Sequence, residues 1–138
     1  MKWFLKAMSQ YFDFSSRARR TEYWMFFLFN TIFAFCAIYL DNLFGIANPL
    51  TGYGVFYLLY SLAVFVPGLA VTIRRLHDID KSGWMLLILL IPLIGVIWFL
   101  VLLFTSGTKG VNSYGEDPKD YVFHKSKNRK KKKSSSNR

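Results

Sequence analysis

WMLLILLIPLIGVIWFLVLLF, residues 84–104, runs for 21 positions without a charged, amide or hydroxyl side chain. As a helix rising ~1.5 Å per residue it would reach roughly 31 Å, about the hydrocarbon thickness of a bilayer. Two upstream stretches, Tyr23–Leu40 (18 residues) and Val55–Ile73 (19 residues), are also uncharged. A soluble domain of 138 residues would have to bury all three, and too little polar sequence remains to cover them. The expected fold class is therefore an all-α integral membrane protein. It has an N-terminal interfacial amphipathic helix, two transmembrane helices and a third apolar segment of undecided path.

That third segment differs from the others at its centre, where Pro92-Leu93-Ile94-Gly95 interrupts it. Proline cannot continue the helical hydrogen-bond ladder and glycine accepts a sharp turn. Two paths stay open: a re-entrant hairpin of two short arms, or a third transmembrane helix with a kink. Charge bears on the choice, because lysine and arginine are retained on the cytoplasmic side of short loops and helix flanks. Residues 1–22 hold five such cations, 41–54 none, 74–83 three and 105–138 ten. The first three counts place the N-terminus inside, the first loop outside and the second loop inside. A plain crossing by 84–104 would then put ten cations outside, whereas a hairpin keeps them in. The C-terminus is expected to be cytoplasmic.

Outward from the spans, residues 1–14 (MKWFLKAMSQYFDF) make an amphipathic helix when wound at ~100° per residue. Lys2, Lys6, Ser9, Gln10 and Asp13 share one narrow face and aromatic residues fill the rest, a pattern suited to the headgroup layer. Its broken charge pattern and lack of a small-residue cleavage site do not suit a cleaved signal peptide. Ser15-Ser16 is a candidate N-cap for the first span, with residues 17–22 as its charged collar. Asn30 is expected to bond a neighbouring helix, Pro67-Gly68 to kink the second span, and Ser82 to cap the third segment. The membrane domain covers 15–119, with apolar segments 23–40, 55–73 and 84–104. Residues 120–138 are expected to form a disordered polybasic tail, since 125–138 carry eight cations, no acid and nothing apolar.

Chemistry-bearing groups are sparse. Single Cys36 reads as a small hydrophobe and excludes an intrachain disulfide. If the second span continues past Ile73, Arg74, His77 and Asp78 share a face, and a His–Asp neighbour pair can in principle move protons. An interfacial ion-pair cluster is the simpler reading. No nucleophile with a base, P-loop or metal-ligand set stands out, so no catalytic residue, cofactor or metal is expected.

Three motifs surround the apolar segments in order: Arg17-Ala18-Arg19-Arg20-x-Glu22-Tyr23-Trp24, Arg74-Arg75-Leu76-His77-Asp78, and Gly107-x-x-Gly110-x-Asn112-x-Tyr114-Gly115-x-Asp117-Pro118. Together they resemble the "domain of unknown function 805" family of small bacterial inner-membrane proteins over about residues 1–119. Ser16 stands where that pattern usually has glycine, and the basic tail lies beyond it. The resemblance implies a multi-pass protein of the bacterial inner membrane and no established activity. With a hairpin, all three motifs share the cytoplasmic face. Arg17, Arg19, Arg20, Glu22, Arg74, Arg75, His77, Asp78, Asp80, Asn112, Tyr114 and Asp117 are then expected to form one polar cluster.

The expected role is non-enzymatic: organising lipids or partners through a basic cytoplasmic face. The bilayer and anionic lipid headgroups are the expected partners. A protein partner or self-association is compatible, and nucleic acid is not expected. A small channel or carrier, alone or as an oligomer, and a lipid-modifying enzyme at the interface are the alternatives.

Overall fold

A computed structural model describes residues 1–136, and no β-strand occurs among them. Five α-helices follow one another: α1 (Lys2–Ser9), α2 (Arg20–Leu43), α3 (Val55–Asp78), α4 (Ile94–Phe104) and α5 (Pro118–Ser136). A 3-10 helix, Gly83–Leu90, precedes α4. Helices α2 and α3 are long and apolar enough to cross a membrane. They contain the segments 23–40 and 55–73. The chain forms two compact units, one of Met1–Phe14 with Thr21–Ile73, the other of Ser15–Arg20 with Arg74 onward.

In the first unit the loop after α2 is governed by one carboxylate. Asp41 is fully buried, and its Oδ2 accepts from Gly54 N–H (3.0 Å) and Tyr57 N–H (2.9 Å) while Oδ1 accepts from Phe56 N–H (2.9 Å). It thus satisfies donors that the first turn of α3 would leave unpaired. A Cβ on Gly54 would sit 2.6 Å from that carboxyl, so the position requires glycine. Midway along, Tyr60 hydroxyl donates to Asn30 Oδ1 at 2.9 Å, the interhelical bond expected of that amide. Helix α3 passes through Pro67 without a break. Pro67 has no N–H to give to the Ala63 carbonyl four residues back; the Tyr11 hydroxyl gives one instead, at 2.8 Å.

The amphipathic helix expected over 1–14 stops at Ser9. Ser9 Oγ donates to the Lys6 carbonyl (2.8 Å), and the following turn frees Tyr11 for Ala63. Its apolar face packs on α2: the Phe4 ring lies 5.4 Å from Phe26 and 5.1 Å from Phe33.

In the second unit the third apolar segment is not one helix. The 3-10 arm, capped by Ser82 Oγ accepting from Trp84 N–H at 3.3 Å, ends at Leu90. The chain turns through Ile91–Leu93, with Leu93 at φ +59°, and α4 begins. The arms touch so closely that a Cβ on Gly95 would fall 1.8 Å from the Ile88 carbonyl oxygen.

Two expectations need correction. Ser15-Ser16 does not cap α2, which begins only at Arg20; residues 15–19 are a non-helical strap. The tail expected to lack regular structure is helical as far as Ser136. Asp117 Oδ1 accepts from Lys119 N–H (2.9 Å), Pro118 fills the first helical position, and lysine is a fair helix former. Positions 137 and 138 of that expected tail lie outside the described residues.

Candidate functional site

The last turn of α3 belongs to the second unit, and Asp78 there is the centre of the site. Its carboxylate is held by two guanidiniums. Arg75 Nη1 donates to Oδ2 at 2.6 Å, one helical turn away, and Arg17 approaches Oδ1 with Nη2 at 3.1 Å and Nε at 3.2 Å. The three side chains are 0%, 1% and 4% exposed for Arg75, Arg17 and Asp78 respectively, so these are desolvated, charge-assisted bonds.

The remaining guanidinium donors go to backbone carbonyls. Arg17 Nη1 donates to Gly110 (2.7 Å) and Gly115 (3.2 Å), and its Nη2 to Thr108 (2.6 Å). Arg75 donates through Nε and Nη2 to Leu103, both at 3.2 Å, and through Nη2 to Thr105. Arg20 Nη1 reaches Phe104 at 3.2 Å. The last carbonyls of α4, which have no intrahelical partner, are therefore capped by arginines, and the helix dipole favours positive charge there.

The strap and the glycine-rich loop close around this centre. Ala18 N–H donates to the Arg74 carbonyl at 2.9 Å, and both residues are fully buried. Gly107 lies against Asp78; a Cβ there would be 2.1 Å from Oδ2. Asn112 Nδ2 donates to the His77 carbonyl (2.9 Å) and Thr108 Oγ1 (2.7 Å), while its Oδ1 accepts from Tyr114 N–H (2.8 Å). That turn lays the Tyr114 ring on the His77 ring at 3.9 Å, nearly parallel. His77 Nδ1 is 3.2 Å from the Ser16 carbonyl. Asp80, at φ +58°, accepts from Ser113 N–H (3.1 Å). Asp117 caps α5 and accepts weakly from Gly110 N–H (3.4 Å), and Arg19 Nη2 donates to Pro118 (2.8 Å).

Eleven of the twelve residues singled out by sequence lie in this unit. Glu22 does not: it belongs to the first unit, where it is fully buried and accepts from Lys6 Nζ at 2.7 Å. Thr108 and Ser16 are members that sequence reasoning did not single out, and Gly107 was read there only as part of a motif. Ser16 acts through its carbonyl, Thr108 through both its carbonyl and its hydroxyl, and Gly107 through its missing side chain. Chemically the cluster is a latch. The Asp78 carboxylate is engaged by arginines and His77 faces a carbonyl, so the two do not form an acid–base dyad. Among the described residues no group of three or more His, Cys, Asp or Glu is placed to hold a metal.

The family model described as "Protein of unknown function (DUF805)" matches residues 11–116, which include the strap, the end of α3 and most of the glycine-rich loop. The chain belongs to this family. It is also similar to individual proteins of the bacterial inner membrane. Over 121 residues it is 46% identical to the inner membrane protein YhaH of Escherichia coli (strain K12), covering 86% of this chain and 98% of that protein. Over 119 residues it is 44% identical to the inner membrane protein YhaI of the same strain, covering 86% and 97%. No solved structure matches this DUF805 chain.

Proposed function

We propose that this DUF805 protein is a non-enzymatic, multi-pass protein of the inner membrane. Its arginine latch holds both ends of the third apolar segment at the cytoplasmic surface, and its basic face and tail engage anionic lipid there. The observation that carries this reading is the bonding of Arg75 to Asp78 on one side and to Leu103 and Thr105 on the other.

Five residue steps separate Asp78 from Gly83, at most roughly 18 Å of chain, well short of the ~30 Å hydrocarbon core. The segment thus begins close to Asp78, and it ends within hydrogen-bonding distance of Arg75. A path that crossed the bilayer would separate those ends. Arm length agrees: eight residues of 3-10 helix rise ~16 Å and eleven of α-helix ~17 Å, each about half the core. With a hairpin, all 18 lysines and arginines lie on one side, as charge retention favours.

Attraction to anionic lipid follows from the tail, where each cation near the surface contributes about 1 kcal/mol. Proteoliposomes with a fluorophore on a tail cysteine, in a Cys36→Ser background, test this. With phosphatidylglycerol present the tail should be shielded from a soluble quencher and released by 0.5 M salt. Equal quenching with and without phosphatidylglycerol would contradict it.

A channel or carrier draws less support. In the spans the Tyr60 hydroxyl donates to Asn30 Oδ1, and the Thr31, Ser61 and Thr72 hydroxyls donate to carbonyls of their own helices. No charged group lies between Tyr23 and Leu40 or between Val55 and Ile73 to mark a path.

A further inference from the structure

Whereas Arg17 and Arg75 are buried and committed, Arg20 is exposed. It makes one hydrogen bond among the described residues, Nη1 to the Phe104 carbonyl. Its Nε and Nη2 edge is left open, and that edge of a guanidinium matches two oxygens of a phosphate. Phe104 is also the last helical member of a mostly apolar, shallow groove on α4, lined by Ile97, Leu100, Val101, Phe104 and Thr105. Those positions recur at the three- and four-residue spacing of a single helix face, so the groove runs along α4 and ends where Arg20 is anchored. Its volume is about 460 Å³, within the range of ligand sites, and it is open along its length.

We propose that this groove is a binding site for one anionic phospholipid, with an acyl chain along α4 and the phosphate on Arg20. A shallow, open and mostly apolar helix face, with Thr105 and the Arg20 cation at one end, complements an amphiphile whose charge is terminal. A soluble ligand would require enclosure and more polar contacts. The site rests on the topology proposed above, since only there do Arg20 and the α4 C-terminus meet the same cytoplasmic headgroup layer. It is distinct from the tail, whose attraction is diffuse and screened by salt. Here charge and shape are read together, so the lipid is retained when the bilayer is removed.

The full-length protein, reconstituted in phosphatidylethanolamine:phosphatidylglycerol vesicles and re-extracted in mild detergent, should carry about one phosphatidylglycerol per chain by native mass spectrometry. Arg20→Gln removes the phosphate partner and is expected to lower that occupancy at least about tenfold. Leu100→Trp fills the trough and should do the same without touching charge, which keeps the test alive if Arg20→Gln impairs folding. Arg20→Lys, with charge but no fork, should fall between. Unchanged retention in both Arg20→Gln and Leu100→Trp overturns the proposal, as does equal retention of phosphatidylethanolamine. So does a stable dimer that only Leu100→Trp dissociates, which would assign the groove to a second copy. Replacing Lys130–Lys133 by glutamine separates the two ideas. Loss of retained lipid in that variant alone would sink the groove and leave the tail reading standing. Loss in Arg20→Gln and Leu100→Trp, with salt-sensitive tail shielding intact or absent, supports the groove independently.

Discussion

Asp78→Ala removes a carboxylate shared by two guanidiniums that have almost no contact with solvent. Breaking a buried ion pair by deleting one partner costs about 3–5 kcal/mol, because the remaining charge stays desolvated and uncompensated. Here two buried guanidiniums lose the carboxylate they share, so the upper half of that range is expected. Native domains have only ~5–15 kcal/mol in total, so the variant should lose roughly a quarter or more of its stability and fold in poor yield. The loss can be read from unfolding in mild detergent titrated with dodecyl sulfate, followed by the fluorescence of the four tryptophans. Asp80→Ala is the control: that side chain is exposed and accepts one bond from Ser113 N–H, worth at most ~1.5 kcal/mol. Asp78→Asn should resemble Asp78→Ala, since the amide keeps the shape, loses the charge and turns donors toward a guanidinium. Indistinguishable midpoints for Asp78→Ala and Asp80→Ala would refute the idea that this carboxylate organises the unit.

Three smaller perturbations probe other joints. Gly107→Ala places a methyl 2.1 Å from Asp78 Oδ2 and must displace the carboxylate, so its midpoint should move toward that of Asp78→Ala in the same titration. Tyr11→Phe withdraws the donor from the Ala63 carbonyl opposite Pro67; a loss of about 1 kcal/mol is expected, and none would mean water or lipid replaces it. Asp41→Ala leaves three backbone donors of Gly54, Phe56 and Tyr57 without their acceptor and should cost about 1–2 kcal/mol, while Asp41→Asn recovers part of it, by thermal unfolding in detergent.

The spans were legible because bilayer thickness imposes a length that uncharged runs either reach or do not. Ser82 was legible as a cap because its side chain acts on the helix immediately after it. Asp41 was not: it sits in the last turn of α2, where a carboxylate is unfavourable, and caps α3 across a thirteen-residue separation. Arg17 and Arg75 could be paired with Asp78 from their charges, but their carbonyl partners at Leu103, Thr105, Thr108 and Gly110 have no side-chain signature. The helix at the tail was misread because Lys130–Lys133 was weighed by composition. Asp117-Pro118, an N-cap followed by a first-position proline, was the stronger local signal. The end of α1 was overestimated because Tyr11 fits an amphipathic wheel, yet its hydroxyl is used on α3.

The central claim is that residues 84–104 leave the cytoplasmic surface and return to it, fastened by Arg75. Fusions of a reporter enzyme active only outside the cytoplasm, placed after Gly45, after Ser82 and after Lys119, test that path. Activity from the first fusion and silence from the other two is the predicted pattern. Strong activity from the fusion after Lys119, with the one after Ser82 silent, would contradict the account.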